Sequence, residues 1–390
     1  MFPRLLYMGD VPVEASYHGS ALLHRLLSDY PAEKLMIIET ATKSEPGRRL
    51  RKVNYFSHPI GNPRWLNTRF HPYAVAWFSQ KGARMGAQVS QSVNGFEVES
   101  VLTVAHGFGW LAAANIAAKR RVPLHLMVHD DWPRAANVVP SFRKRLDEHF
   151  ARVYQQAESR LCVSPSMRRA YQERYGKPAE VIYPSRAHDC PDYDGPPVRL
   201  SRYDKPFTIA FAGTINSQGY IQALRALQEA LKLVGGQLQI FGPLTSAEAR
   251  RVGLDDPNTE VCGFSSSSDV MLLLRTEADA LFVPMSFDDA DRVNMEMAFP
   301  SKLADYTATG LPLLIYGPSY CSAVAWAREN TDVAEIAETE AQLSNAIQRL
   351  ANDASHRIRL GNRALEVGRK YFSHDRVQQV FLQALSVRSE

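Results

Sequence analysis

The chain has 390 residues, of which 45% are hydrophobic and 22% charged. This is the composition of an ordinary globular protein that is long enough for two domains. No apolar run approaches the roughly 20 residues that cross a bilayer, and the first ten residues lack the core of a signal peptide. We therefore expect a cytoplasmic protein. The four cysteines have neither C-x-x-C spacing nor histidine partners, so we expect reduced thiols and no zinc site.

The net charge of +4 is unevenly distributed along the chain. Residues 1–200 hold 27 Lys and Arg against 18 Asp and Glu, whereas the remainder holds 18 against 23. This asymmetry predicts different partners for the two halves. No nucleic-acid-binding signature accompanies the basic clusters, so nucleic acid is not an expected partner. Three interpretations of the basic half stay open: an anionic glycan or lipid-linked acceptor, peripheral contact with an inner membrane surface, and a solvated face.

The first half alternates short apolar runs with helical patterns, which is typical of a parallel sheet covered by helices. The predicted strands are residues 5–8, 35–39, 52–56, 100–105, 123–128 and 159–164. Gly19 stands at the head of the helix after the first strand, where a glycine lets the backbone approach a ligand closely.

Residues 58–70 are rich in Pro, Asn, Trp and Arg, which predicts a loop, and an aromatic helix follows it with Tyr73, Trp77 and Phe78. The pattern favours a core or loop-anchoring role for these aromatic residues over stacking on a sugar.

Two successive strands each end in a histidine. His106 follows the strand at 100–105, and His129 with Asp130 follows the strand at 123–128. Because ligands of doubly wound sheets bind at the carboxyl ends of strands, these three residues are candidates for a site. A structural role for each histidine remains the alternative.

The strand, loop and helix pattern restarts after residues 186–206, which are a linker by composition. Gly213 and Thr214 follow the new first strand, and a glycine-containing loop with Gly263 and Phe264 comes later in the chain. The most informative window is Met295 to Pro318, which reads as loop, helix, glycine and strand. Pro300 and Ser301 predict the helix start, with the serine hydroxyl as a cap, and Gly310 predicts a left-handed stop.

Lys302 and Asp305 lie on one face of this predicted helix. The loop amides and the helix start offer partial positive charge to a phosphate, and Lys302 adds a full charge. Asp305 is placed to hold sugar hydroxyls. A plain crossover helix with two solvated side chains is the alternative.

FPSKLADYTATGLPLL resembles the donor-binding segment of retaining group 1 GT-B glycosyltransferases, the glycogen-synthase-like and lipopolysaccharide-type enzymes. AHGFGWLAAANIAAKRRVPLHLMVHDDWP resembles their His-Gly strand, helix and "t-v-H-d" strand. The resemblance implies that Asp305 binds the ribose of a nucleotide sugar and that Gly263 and Phe264 meet the nucleobase. It implies that His129 contacts the transferred sugar, with Gly19, His106 and Asp130 on the acceptor side.

One departure concerns the phosphates. Gly213-Thr214 and Gln218-Gly219 stand where the family usually has Gly-Arg and Lys-Gly, a cation pair that neutralises the departing diphosphate. Lys302, with Arg292, is left as the cation candidate, and the amides of residues 213–215 are candidates for cradling an oxyanion. His129 and Lys302 are therefore the expected catalytic residues, and Gly213, Thr214, Pro300 and Ser301 join the expected donor site.

The resemblance implies an α/β protein of GT-B type, with two Rossmann-like doubly wound domains facing across a cleft. Residues 1–200 would form the acceptor-side domain, joined by a crossing helix at 372–390, and residues 201–371 the donor domain. The expected enzyme is a hexosyltransferase-type glycosyltransferase that uses a nucleotide-diphosphate sugar in glycan or lipopolysaccharide synthesis. It would act with retention and need no cofactor or metal. A non-catalytic nucleotide-sugar or glycan-binding scaffold and a nonhydrolysing nucleotide-sugar epimerase are the alternatives.

Overall fold

The computed structural model describes residues 2–15, 18–41, 43–85, 89, 92–136, 138–201, 206–215, 217–263 and 267–386. The chain divides into two compact units. The first is Met1–Ser185 together with His374–Glu390, and the second is Arg186–Ser373. Each unit has its own parallel sheet.

The first unit contains a seven-stranded parallel sheet of order β3-β2-β1-β4-β5-β6-β7. Its strands are β1 Leu5–Gly9, β2 Leu35–Glu39, β3 Asn54–Ser57, β4 Ser100–Val104, β5 Leu124–Val128, β6 Ser159–Cys162 and β7 Glu180–Val181. Its helices are α1 His18–Leu27, α2 His71–Arg84, α3 Gly109–Arg120, α4 Trp132–Ala135, α5 Pro140–Gln156, α6 Pro165–Tyr175 and α15 His374–Ser386.

The central strands β1, β2, β4 and β5 are buried along their whole length, as expected for a parallel sheet with helices on both faces. The leucines of α1 pack on this sheet together with Val377 and Phe381 of α15. The helix after residue 373 thus completes the core of the first unit.

The second unit contains a six-stranded parallel sheet of order β10-β9-β8-β11-β12-β13. Its strands are β8 Thr208–Ala212, β9 Gln237–Phe241, β10 Thr259–Gly263, β11 Ala280–Pro284, β12 Leu313–Tyr316 and β13 Ala334–Ala337. Its helices are α7 Gln218–Lys232, α8 Ser246–Arg251, α9 Ser267–Glu277, α10 Arg292–Met297, α11 Lys302–Tyr306, α12 Ser322–Glu329, α13 Glu340–Asn352 and α14 Ala354–Phe372.

Both sheets have a point at which the strand order reverses. In the first unit β1 lies between β2 and β4, and in the second β8 lies between β9 and β11. The connections that follow β1 and β4, and likewise β8 and β11, run to opposite sides of the sheet. This leaves a crevice at the carboxyl ends of the two strands. The fold therefore defines one candidate site region in each unit.

The six strands predicted for the first unit are present with bounds that differ by at most two residues, and two short strands of the second unit go beyond the prediction. These are β10 and β13, which form the two edges of the second sheet and are only partly buried. Edge strands have a weak apolar pattern because one flank faces no neighbouring strand. Among the described residues, no helix is both long and apolar enough to cross a membrane.

The helix predicted from Pro300 is shorter than expected. The regular part, α11, covers Lys302–Tyr306, and turns continue to Gly310, whose φ of +70° confirms the left-handed stop. The prediction of a serine cap was wrong, since Ser301 has helical dihedral angles and its side chain makes no capping hydrogen bond.

Candidate functional site

Lys302 is the most unusual charged group of the second unit. Its side chain runs inward from the start of α11, and Nζ lies 5.1 Å from the ring centroid of Phe211 and 6.0 Å from that of Tyr220. Burial lowers the pKa of Lys302 to about 8, and no carboxylate among the described residues offsets that burial. Aromatic faces stabilise a cation only in part. The ammonium therefore occupies a site that is short of negative charge.

Gly213 forms the floor beneath this ammonium. It follows β8 with a φ of +141°, and a Cβ at this position would lie 2.9 Å from Nζ of Lys302 and 2.5 Å from its Cε. Only glycine meets both conditions, since its backbone tolerates positive φ and its Cα leaves room for the lysine. The structure thus brings together two residues that the sequence separates by 89 positions and that we predicted for the donor site.

Two more glycines extend this floor along the sheet edge. Gly242 follows β9 with a φ of +152° and donates its amide to the carbonyl of Gly263, which has a φ of +75° at the end of β10. A Cβ on Gly242 would lie 2.4 Å from the Gly213 carbonyl oxygen. Three adjacent strands therefore end in a rim without side chains, which we call the glycine rim: Gly213, Gly242 and Gly263. Bare backbone of this kind allows a ligand to approach closely.

The main-chain cradle that we predicted at residues 213–215 needs a correction. The Gly213 amide donates to the Phe241 carbonyl at 2.8 Å, so it is not available to an oxyanion. The neighbouring Thr214 is half-buried at the end of β8. Phe264, the other predicted nucleobase contact, lies outside the described residues.

The α11 segment is fixed from two sides. Tyr306 accepts a hydrogen bond from the Ala212 amide at 2.6 Å and donates one to the Ala212 carbonyl at 3.1 Å. On the other side Arg186, which is 5% exposed, donates to the carbonyl of Ala304 and to the hydroxyl of Thr307, each at 3.1 Å. Lys302 therefore extends from a rigid element, as positioning of a charged group requires.

Asp305, Pro300 and Ser301 lie in this same α11 segment. Asp305 and Pro300 are half-buried and Ser301 is exposed. Burial lowers the pKa of the Arg186 guanidinium, and the negative charge of Asp305 opposes that effect. Asp305 follows Lys302 by three residues on α11, but its charge acts on Arg186, and burial alone accounts for the lowered pKa of Lys302.

Arg292 does not join Lys302, because its guanidinium stacks on the ring of Tyr320 at 4.4 Å. In the described part of the chain, no group of three or more His, Cys, Asp or Glu has the arrangement of a metal site.

The switch point of the first unit gathers a different set of groups, beginning with His129 after β5. Gly19, at the start of α1, faces it so closely that a Cβ there would lie 2.8 Å from Nδ1 of His129. Nε2 faces the sulfur of Met127 at 2.9 Å. Burial lowers the pKa of His129 to about 4, although Asp130 partly opposes this effect. The imidazole is therefore neutral at pH 7.

Asp10 is the central acid of this cluster. It follows β1 and accepts hydrogen bonds from the amides of Phe108 at 2.7 Å and Gly109 at 3.0 Å, where α3 begins. Burial raises the pKa of Asp10, while these hydrogen bonds act in the opposite direction. Gly107 makes the approach possible, since a Cβ there would lie 1.6 Å from Oδ2 of Asp10.

His106 and Asp130 lie at the open side of the cluster. Their Nδ1 and Oδ2 atoms are 3.9 Å apart, and both side chains are about half exposed. The structure thus brings together the four acceptor-side predictions, Gly19, His106, His129 and Asp130, and adds Asp10. The signal for Asp10 was its position directly after the first strand. The signal for Gly242 was the Gly-Pro pair after β9, which reads as an ordinary turn in the sequence.

Two doubly wound parallel units define the class of this protein as an α/β protein of the GT-B type. Residues 38–185 match the family model "Glycosyltransferase Family 4". A search of curated protein sequences found no match at its significance threshold.

Solved structures resemble the chain over its whole length. HepE of Anabaena, in complex with UDP and glucose, has a TM-score of 0.68 at 13% identity, covering 99% of this chain and 100% of that one. Sucrose-phosphate synthase of Thermosynechococcus elongatus has a TM-score of 0.68 at 14% identity, covering 98% of both chains.

A UDP-forming trehalose-phosphate synthase of Burkholderia xenovorans has a TM-score of 0.66 at 14% identity, covering 100% of both chains. These comparisons confirm the predicted resemblance to GT-B glycosyltransferases.

Proposed function

We propose that this protein is a glycosyltransferase that moves a hexosyl group from a nucleotide-diphosphate sugar to an acceptor hydroxyl, with retention of anomeric configuration. The single observation that carries the proposal is the half-buried Lys302, whose ammonium lies above Gly213 with its pKa lowered by desolvation and without a carboxylate partner among the described residues. A buried cation is costly unless an anion neutralises it. A diphosphate would supply that anion, and within the glycine rim Gly263 has open space at its Cβ position.

In this reaction the bond between the sugar and the diphosphate breaks while a bond to the acceptor oxygen forms, and the proton of the acceptor hydroxyl passes to the departing diphosphate. Negative charge develops on the departing phosphate oxygens. A cation that is already positioned and partly desolvated stabilises that charge without reorganising, which is the principal source of rate acceleration at such sites. We assign this role to Lys302.

The remaining roles follow from the same proposal. Asp305 would accept hydrogen bonds from the ribose hydroxyls of the donor, next to Lys302 on α11. His129, neutral at pH 7 because of its lowered pKa, would exchange hydrogen bonds with a sugar hydroxyl rather than act as a cation. No metal or cofactor is part of the proposal, and no side chain serves as a covalent nucleophile.

Uracil is the first nucleobase to test, because HepE and the trehalose-phosphate synthase are described with UDP. For the acceptor we propose an anionic or lipid-linked glycan, since the first 200 residues carry an excess of nine positive charges. Binding of such an acceptor should weaken as salt concentration rises.

The test is a thermal-shift titration with UDP-, GDP-, ADP-, CMP- and dTDP-sugars, followed by measurement of nucleotide release from the donor that binds. A ligand specific for the folded state raises the melting temperature. We expect one nucleotide to give a selective shift. Lys302→Ala should reduce turnover about 100- to 1000-fold, the range for loss of one group that stabilises developing charge.

Matched controls separate a local effect from a general one. Lys370→Ala removes an exposed lysine of the same unit, and Asp255→Asn neutralises an exposed acid, so both should leave the shift unchanged. Asp305→Asn should weaken the shift for nucleotides with ribose. If Lys302→Ala binds and turns over the donor like the wild type, the proposed role of Lys302 is wrong.

The non-catalytic scaffold remains the second candidate, because Thr214 and Gln218 stand where the resembled family has its cation pair. A selective thermal shift without nucleotide release, in the presence of a broad acceptor panel, would favour the scaffold. The absence of any shift would contradict both candidates.

A further inference from the structure

The first unit carries an unusual aromatic surface around α2. Four large aromatic side chains there are well exposed: Trp65 at 55%, Phe70 at 46%, Tyr73 at 65% and Trp77 at 56%. We call this set the aromatic face. Among the described residues, every other large hydrophobic side chain that is exposed belongs to the second unit, where such residues are dispersed along the sequence. The expected core or loop-anchoring role is therefore wrong for Tyr73 and Trp77, whereas the burial of Phe78 confirms it for that residue.

Helix α2 is nevertheless firmly packed. Its inner side buries Val75 and Phe78, and the Phe78 ring meets that of Phe108 edge to face at 5.9 Å. Gly61 lies so close that a Cβ there would overlap the Phe78 ring. Tyr73 and Trp77 are one turn apart on the opposite side of the helix. Their exposure thus belongs to the outer face of a helix that already has its core contacts.

The charge around the aromatic face has a single sign. Residues 46–96 contain eight Lys and Arg and no Asp or Glu. Four of these cations accompany the aromatic face, and none of them pairs with a carboxylate within the described part of the chain: Arg64, Arg69, Lys81 and Arg84. Two cations lie over its rings, with Arg69 at 5.0 Å from Phe70 and Lys81 at 5.4 Å from Trp77.

Two of the four basic residues earlier in this stretch, Arg48 and Arg49, have carboxylate partners. Arg48 pairs with Glu45 at 3.0 Å, and Arg49 lies 3.6 Å from Glu39 and stacks on Tyr55 at 4.7 Å. Their charge is largely used inside the unit. Arg51 and Lys52 are also exposed and form no ion pair with a carboxylate among the described residues. Four of the six unpaired cations in this stretch therefore lie beside the exposed aromatic rings.

We propose that the aromatic face docks on the surface of an anionic lipid bilayer. Tyr and Trp favour the headgroup region, where their rings are apolar and their polar atoms stay hydrated. Lys and Arg beside them attract the negative surface of such a bilayer. A soluble polyanion would match the cations but leave the aromatic rings in water, whereas a bilayer surface matches both. This inference stands on the α2 region alone and is independent of the proposed transferase activity.

Vesicle flotation tests this surface directly. The full chain is mixed with phosphatidylcholine vesicles that either contain or lack phosphatidylglycerol, and the bound fraction is measured at low and high salt. We expect binding to the anionic vesicles that weakens with salt. Tyr73→Ser combined with Trp77→Ser should lower the partition coefficient about tenfold or more at both salt concentrations.

Two further variants complete the design. Arg64→Gln combined with Arg69→Gln should remove most of the preference for anionic vesicles while leaving the aromatic rings in place. Leu233→Ser combined with Leu272→Ser removes two exposed apolar side chains of the second unit and should change nothing. All substituted side chains are exposed, so unchanged circular dichroism and melting temperature are expected.

Three outcomes would overturn the proposal. The wild type could fail to bind any vesicle, or the aromatic variant could bind as well as the wild type. In the third outcome, soluble dextran sulfate displaces the wild type completely from the vesicles, and the aromatic variant binds dextran sulfate as well as the wild type does. That result would assign the cations to an anionic glycan.

Discussion

The two units use the same position of the same topology for opposite electrostatic purposes. In the second unit the strand-order reversal carries Lys302, a cation without a carboxylate partner among the described residues, above glycines. In the first unit the corresponding place carries Asp10, which accepts hydrogen bonds from two main-chain amides, together with His106, His129 and Asp130. One sheet edge lacks negative charge, whereas the other already holds carboxylates and a neutral imidazole.

This difference indicates which kind of ligand each edge suits. A positive site without side chains on its floor favours a phosphate, which is both charged and bulky. A cluster of hydrogen-bonding groups of low net charge favours hydroxyls, which need directed donors and acceptors. The fold supplies the same crevice twice, and the side chains after the strands give each crevice its chemistry.

Removing the positive charge of Lys302 should have the largest effect on the second unit. Lys302→Met should reduce affinity for the nucleotide about 100-fold or more, because the phosphate loses its buried partner. The empty protein should become more stable at pH 7 by about 1–3 kcal/mol, since the unfolded lysine keeps a pKa near 10.5 and the folded pKa is about 8. Chemical denaturation and nucleotide titration measure both effects.

The effect of Lys302 on stability should depend on pH over a defined interval. The unfolded state binds the Lys302 proton more tightly than the folded state, so the wild type should gain stability as pH rises from about 8 to about 10.5. The advantage of Lys302→Met should shrink over that interval. An advantage that does not depend on pH would contradict the assignment to the ammonium.

Adding a side chain at Gly213, beneath the ammonium of Lys302, should have the next largest effect. Gly213→Ala places a methyl group against Lys302 and strains a backbone with positive φ, so nucleotide affinity should fall about tenfold or more along with stability. Gly235→Ala is the control, since Gly235 also has a positive φ of +60° but has open space around its Cβ position. Equal loss of nucleotide affinity in both variants would show that only backbone strain matters.

Substitution beside His129 in the first unit should change turnover rather than nucleotide affinity. Gly19→Ala displaces the His129 ring, so we expect turnover to fall about tenfold while binding of the free nucleotide stays unchanged. Gly47→Ala is the control, because nothing lies within 4 Å of its Cβ position and its φ is ordinary. Steady-state kinetics with nucleotide titration separates the two quantities, and a lower nucleotide affinity in Gly19→Ala would argue against this division of roles.

The last prediction concerns stability in acid rather than binding or turnover. The unfolded pKa of His129 is near 6.5 and the folded value about 4, so protonation favours the unfolded state. The contribution of His129 is complete above pH 6.5 and is lost as pH falls toward 4. His129→Gln should therefore flatten this decline by about 1–3 kcal/mol, as measured by urea denaturation at several pH values. Superimposable pH profiles for variant and wild type would contradict the burial of this imidazole.

The sequence by itself determined the doubly wound architecture and most of the candidate residues. Fully buried strands such as β1 and β5 appear as uninterrupted apolar runs, and Gly310 marks a left-handed stop, because these local patterns are imposed by burial and by backbone sterics. Weakly patterned edges such as β10 carried no comparable signal.

Only the tertiary structure decided which residues meet and what charge state they hold. Gly213 and Lys302 are far apart in sequence, as are Gly19 and His129, and each pair forms because the parallel strands of one sheet end at the same edge. The exposure of Tyr73 and Trp77 could not be predicted from the sequence either, because the same sequence pattern fits a helix whose aromatic rings face a core or the solvent. Burial and the distances between side chains are properties of the folded chain. Shifted pKa values and charges without an oppositely charged partner can therefore be recognised only in the tertiary structure.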